Sequence, residues 1–266
     1  MGLLPAGAEA LWGALLLIAG AVLLCEALRR VSRAWLRGLP QELALEAVST
    51  AQLCLCVREL ALLGAAGALE PWQGLCLTYL QTVLHCLTAG ADCNPCASLL
   101  QWLRGEALAR DTLLRVAAQV SGAKVAKLTS PLLWGLRLSP LHAGQGPCRS
   151  PLTVGPLAGF GVEMLCALCL YILLRQLGRV REAYRVHAVA LLITGLVCAG
   201  GGLTGAVFNP ALAYSVLFHC DGSSFLRNVS VYWLGPVVGL LLSILLTDGC
   251  VPKFRRNLKA DGKKSQ

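Results

Sequence analysis

One short phrase occurs twice in this chain, Gly90-Ala91-x-x-Asn94-Pro95 and Gly205-Ala206-x-x-Asn209-Pro210, 115 residues apart and both in strongly apolar surroundings. Proline at the first position of a helix loses only an N–H that has no partner there, and it keeps the residue before it extended. Each Asn-Pro step therefore fixes a helix start. The apolar stretches that follow, Cys96 to Leu103 and Ala211 to Phe218, are too short for a hydrocarbon core of about 30 Å at about 1.5 Å per residue. Each reaches about half way. Two helices that begin in mid-membrane predict a duplicated membrane fold with two re-entrant half-helices.

The rest of the chain supplies that setting. Of 266 residues, 56% are hydrophobic and 14% charged, with a mean hydropathy of +0.65, values of a multi-span membrane protein rather than a soluble domain. Full-length spans are expected at Leu43 to Gly64, Gly74 to Gly90, Thr112 to Leu133, Pro156 to Leu177, Val186 to Gly205 and Val229 to Gly249. This divides the chain into an N-terminal apolar segment and basic linker (1–42), a membrane domain (43–250) and a basic tail (251–266). The run Leu11 to Leu28 has no basic residue before it and Arg29, Arg30, Arg33 and Arg37 after it, which argues against a cleaved signal peptide. An additional helix with its N-terminus outside and an interfacial helix both fit.

A net charge of +9 raises the question of nucleic acid, but the basic residues cluster at alternate span ends, as the positive-inside rule requires. No nucleic-acid partner is implied. Arg29 to Arg37, Arg104, Arg110, Arg175 to Arg185 and Lys253 to Lys264 fall on one side, and only Arg137, Arg149 and Arg227 on the other. The first half-helix loop then enters from the cytosol and the second from the opposite face, the pattern of an inverted repeat.

Each half opens with a buried acid: Glu46 lies 48 residues before Asn94, and Glu163 lies 46 before Asn209. An intramembrane carboxylate needs donors, and a non-helical loop at membrane depth needs acceptors for its N–H groups. Glu46 and Glu163 are therefore read as structural clamps on the two loops. The rival reading, a proton relay, would need titratable partners, for which Asp92 and His85 are the candidates. Most of the thirteen cysteines lie in spans, where Cys acts as a small hydrophobe. Cys148 and Cys220, in non-cytosolic loops, are placed to form a disulfide within or between subunits. Cys93-Asn94-Pro95-Cys96 has the Cys-x-x-Cys spacing of thiol oxidoreductases, but no strand pattern precedes it as such a motif requires. No catalytic residue, metal site or cofactor is expected.

The paired boxes, Glu46-x-x-x-Thr50, Ala118-Gln119-x-x-Gly122-Ala123 and Tyr232-Trp233-x-Gly235-Pro236-x-x-Gly239 together resemble the aquaporins from about Leu43 to Gly249. Cys96 in place of the usual Ala of the first box is similar to the unorthodox subfamily. The resemblance implies an all-α membrane protein, an aquaporin-like inverted repeat of six spanning helices and two re-entrant half-helices; an extra N-terminal helix within residues 1–42 stays one of the two readings given above. It implies pore boxes at Asn94, Pro95, Cys96, Asn209, Pro210 and Ala211, and assembly as a homotetramer in the lipid bilayer. Ordinary aquaporins resemble one another in an Arg three residues after the second Asn and a His on the fifth span. The matching positions here, Leu212 and Val197, are apolar, and Ala206 completes a filter suited to water and small neutral solutes such as glycerol and hydrogen peroxide. The alternatives are a non-conducting membrane scaffold and a thiol redox protein using Cys93 and Cys96. Lys263 and Lys264, third and fourth from the last residue, match a dilysine retrieval signal, so the endoplasmic reticulum is the expected location and the cell surface the alternative.

Overall fold

The computed structural model describes residues 6–143 and 148–248. Lys263 and Lys264 lie outside the described residues. Ten α-helices run in the order α1 (Ala6–Trp35), α2 (Leu39–Ala65), α3 (Pro71–Thr88), α4 (Pro95–Arg104), α5 (Ala109–Trp134), α6 (Pro156–Gln176), α7 (Glu182–Thr204), α8 (Pro210–Val216), α9 (Phe225–Val229) and α10 (Gly235–Asp248). A π-helical turn, Ser230–Leu234, joins α9 to α10. Among the described residues there is no strand, only an isolated bridge between Arg149 and Asp221. By length and composition, α1, α2, α6, α7 and the segment Phe225–Thr247 are each apolar enough to cross a membrane. α3 and α5 complete the bundle.

The duplication is visible in two close helix crossings. α5 packs on α2 and α10 on α6, each through a glycine. A Cβ on Gly122 would stand 2.1 Å from the Ala47 carbonyl oxygen, and one on Gly239 would stand 2.2 Å from that of Met164. Ala47 follows Glu46 and Met164 follows Glu163, and the interval from each glutamate to its glycine is 76 residues in both halves. The glycines bring the helix backbones into contact where the carboxylates turn toward the loops.

α1 runs antiparallel to α2 after the tight turn at Gly38, whose φ is +59°. At one end Ser139 Oγ donates to the Ala10 carbonyl, 3.2 Å, and Gly13 lies against the backbone of Leu138 and Ser139. At the other end Arg29 is fully buried, with Nη1 on Gln52 Oε1 at 2.8 Å and Nε on Glu26 at 3.1 Å. α1 therefore lies along the whole bundle as an added helix, not across one end of it. Arg29, grouped from sequence with the exposed basic flank, instead points into the bundle. It sits six residues inside the helix end at Trp35, on the face that meets Ser49 and Gln52.

Several elements depart from the expected boundaries. α2 begins at Leu39, ahead of the proposed boundary at residue 42, because Pro40 pre-forms its first turn. α1 exceeds Leu11 to Leu28 at both ends, and α8 stops at Val216. The last span begins earlier, at Phe225, where the Ser224 hydroxyl accepts the Arg227 N–H. Cys148 and Cys220 form a disulfide that ties the connection before α6 to the segment after α8.

Candidate functional site

The residues before the two Asn-Pro steps carry the geometry. Cys93 has φ +56° and Phe208 φ +34°, in the left-handed region that side chains other than Gly, Asn and Asp rarely enter. Such a conformation persists when its surroundings over-determine it. Here each residue is held from both sides. The Cys93 N–H donates to Glu46 at 2.9 Å and the Phe208 N–H to Glu163 at 2.6 Å. The Cys93 carbonyl accepts from Asn209 Nδ2 at 2.8 Å, and the Phe208 carbonyl from Asn94 Nδ2 at 3.3 Å. The two loops are thus cross-tied at mid-bundle by a two-fold-related pair of hydrogen bonds.

Each asparagine also starts its helix. Asn94 Oδ1 accepts the Cys96 N–H, and Asn209 Oδ1 accepts those of Ala211 and Leu212, at 3.0 to 3.3 Å, with Pro95 and Pro210 at the first helical positions. An asparagine amide has two N–H donors. One on each goes to the opposite loop, and the other is left for whatever lies beside it.

The glutamates reach further than the cross-tie. Glu46 takes the Asp92 N–H at 3.0 Å and Gln119 Nε2 at 3.0 Å. Glu163 takes the Val207 N–H at 3.1 Å and the Thr204 hydroxyl. Both carboxylates are almost wholly buried. Gln119 extends the first set to Ser98 of α4, and the Tyr232 hydroxyl donates to the Thr204 carbonyl at 2.7 Å in the second. Asp92 accepts from Gln101 of α4 at 2.7 Å, so it braces the half-helix while facing the cavity described next.

A cavity of about 680 Å³ lies between α2, α3, α6, α7 and both loops, and Asn94 and Asn209 are on its wall. Val197, Ala206 and Leu212, the three proposed filter positions, all line it. Cys93 also lines the cavity, whereas Cys96 packs inward; both are buried and unpaired. Cys148, His219 and Cys220 offer three ligand atoms within 4.8 Å of one another, but the two sulfurs are bonded to each other.

Several partners gave little sign of themselves in the sequence. The left-handed Cys93 and Phe208 were not foreseeable from residue type. Arg58 of α2 donates to the Ser215 carbonyl at 2.7 Å, near the C-terminal end of α8, and lies 5.3 Å from the Trp134 ring centroid. A cation there suits the negative end of the short helix. Its place near the end of a span was the available signal, and it reads equally well as a flank. Glu59, also on α2, accepts from Trp134 Nε1 at 2.9 Å and pairs with His142 at 2.7 Å.

Comparison with known proteins agrees with this geometry. The family model of the major intrinsic proteins matches residues 62–246. Aquaporin-12 of Mus musculus is 40% identical over 249 residues, covering 88% of this chain and 85% of that protein. Aquaporin-11 of Homo sapiens is 36% identical over 245 residues, covering 91% and 90%. The X-ray structure of the aquaglyceroporin from Plasmodium falciparum superposes with a TM-score of 0.52 at 17% identity, over 91% of this chain and 96% of that one, a likeness of fold. With its paired half-helices and its asparagines cross-tied beside a cavity, the chain belongs to the major intrinsic protein, or aquaporin, family of membrane channels, whose members are not enzymes.

Proposed function

We propose that this channel passes water and small neutral solutes, glycerol and hydrogen peroxide among them, across an intracellular membrane, that of the endoplasmic reticulum. The observation that carries the reading is that three apolar residues, Leu212, Val197 and Ala206, line the cavity that also holds both Asn boxes. Two helix N-termini facing the middle of the passage disfavour cations and protons, each contributing up to about half an elementary charge. The second N–H of each asparagine is placed to donate to a passing oxygen and interrupt a proton wire. An apolar constriction removes the fixed cation that would hold the passage to water alone. Glu46 and Glu163 act as clamps, keeping the loops at the geometry the asparagines need.

Stopped-flow measurement on proteoliposomes tests this. Water, glycerol and peroxide should pass without protons, and Leu212→Arg should narrow the profile to water or block it. Folded protein that moves none of the three solutes overturns the reading, and an unchanged profile in Leu212→Arg removes that residue from the constriction.

Family resemblance supports a homotetramer, and the basic tail supports the location. If Lys263 and Lys264 form the retrieval signal, replacing both with Ser brings part of the protein to the cell surface, whereas replacing Lys253 and Arg255 does not. Appending a short neutral peptide after Gln266 should act like the double substitution. Surface biotinylation reads all three, and uniform retention would assign the tail to lipid contact alone.

A further inference from the structure

α8 carries Leu212 yet is only seven residues long, Pro210–Val216, and it ends irregularly at Leu217, whose φ is −120°. A helix this short makes few bonds of its own, and its last carbonyls must find partners elsewhere. Its N-terminal end is held by the Asn209 side chain. At the other end the Leu217 N–H reaches the Ala213 carbonyl at 2.9 Å, and the Ser215 carbonyl takes a bond from outside the helix, from Arg58 Nη1 at 2.7 Å. The disulfide anchors the chain beyond this point, at Cys220.

Arg58 is 8% exposed, and a buried cation in a membrane span is costly enough to mark a function. Leu53, Val57, Leu60 and Ala61 of α2 line the cavity, whereas Arg58 points toward α5 and α8, between the Ser215 carbonyl, the Trp134 ring and His219 Nε2 at 3.4 Å. The Trp134 ring carries the guanidinium on its face and gives its N–H to Glu59 at 2.9 Å. A carboxylate on that N–H enriches the ring and strengthens its hold on the cation. Glu59 is fixed in turn by His142 at 2.7 Å. A side chain locked in this way can hold what it touches in one place, and what Arg58 touches is the negative end of α8, through a charge-assisted bond.

We infer that Arg58 is a positioning residue for the passage: it fixes the C-terminal end of α8 and thereby sets how far Leu212 stands into the cavity. The inference rests on the proposed place of Leu212 in the constriction. Ala211 and Ala213, on either side of Leu212, are fully buried in the core that α8 shares with α2 and α5, so the cavity is the side left open to a loosened helix. Released from Arg58, α8 pivots about its capped N-terminus and Leu212 moves into the passage, which obstructs a larger solute before it obstructs water.

Hydrogen exchange and flux, both measured on the whole chain, test this together. Arg58→Met removes the bond to Ser215 and keeps an unbranched side chain. Exchange at the Leu217 N–H should quicken about tenfold, as the loss of one charge-assisted hydrogen bond allows, while exchange at Ala97 and Ser98 of α4 stays unchanged. In proteoliposomes the glycerol-to-water permeability ratio should fall, and Arg58→Lys should restore most of both properties. Should Arg58→Met give no folded protein, Trp134→Leu takes its place: it frees the guanidinium from its ring and should move exchange and ratio in the same direction by less. An arginine that only stabilises the fold would lower both fluxes together with folded yield and leave the ratio alone; that result, or equal quickening in α4, overturns the inference. The channel reading is judged apart. Wild-type protein that passes neither solute removes it and leaves exchange at Leu217 to decide the tether, whereas wild-type flux with an unchanged ratio in the variants removes the positioning role alone.

Discussion

The two halves of this molecule solve one problem with different materials. In both, a glutamate takes two loop N–H groups, a glycine 76 residues later lets the helices touch, and a residue in the left-handed region precedes the asparagine. Around the first loop the supports are polar and redundant. Gln119 donates to both Glu46 and Ser98, Gln101 reaches Asp92, Arg115 reaches Gln101, and Ser49 donates to the Ala89 carbonyl while accepting from Arg29 of α1. Around the second the supports are few: Thr204, Tyr232 and an apolar packing of Val207, Leu212 and Leu217. Duplicated architecture has thus kept its backbone solution while the surrounding side chains diverged. The polar half faces the basic end, and the apolar half carries the proposed constriction.

The largest expected effect tests that asymmetry directly. Glu163→Ala leaves the Val207 and Phe208 N–H groups without their acceptor and should cost about 3 kcal/mol, whereas Glu46→Ala, cushioned by the neighbouring network, should cost about 1–2 kcal/mol. Chemical denaturation in detergent micelles compares the pair, with flux falling alongside folded yield. Equal costs would show that the polar network lends the first loop nothing. Loss of flux at full stability would make the carboxylates part of the conducting path rather than clamps.

A smaller effect should come from α1. Arg29→Leu removes the links to Ser49 and Gln52, and with them support for the first loop, at about 1–2 kcal/mol. Hydrogen exchange should quicken at Asp92 and Cys93 and stay unchanged at Val207 and Phe208. Quickening at both loops would mean that the cross-tie spreads the damage and that the halves are not separately supported.

The smallest effect belongs to His219, after α8. Partial burial, then the nearby charges of Arg58 and Lys127, push its pKa down to about 4. The folded state resists protonating this ring, while the unfolded chain protonates near pH 6.5. Its contribution is fully present above pH 6.5 and is lost as the pH falls from there toward 4. Melting temperatures at pH 7.5 and 5 should differ more for the wild type than for His219→Gln. An identical difference would detach this residue from the apolar half's stability.

How much of this was legible beforehand follows from the kind of signal each residue leaves. Asn-Pro steps and intramembrane acids are costly out of context, so their repetition marked the loops and the matching spacings marked the glutamates that reach them. Gly122 and Gly239 stood in phrases whose spacing carried their meaning. The conformations of Cys93 and Phe208 left no such trace, since neither residue type favours positive φ and both are set by partners distant in sequence. Arg29 misled, and Arg58 gave no sign, for a related reason. An arginine near a span end looks the same whether it snorkels outward or turns in, and only packing against α2 or α8 decides.

The cross-tie also sets a clock. The Cys93 carbonyl waits for Asn209, 116 residues later in the chain, which at a synthesis rate of 5–20 residues per second is a delay of roughly 6–23 s. Through that interval the first loop exists with its strained residue held by Glu46 alone and the carbonyl partner not yet made. The redundancy of polar supports in the half that is born first then has a temporal meaning: those supports all lie within the first half and α1, so they are available to the first loop before Asn209 is made.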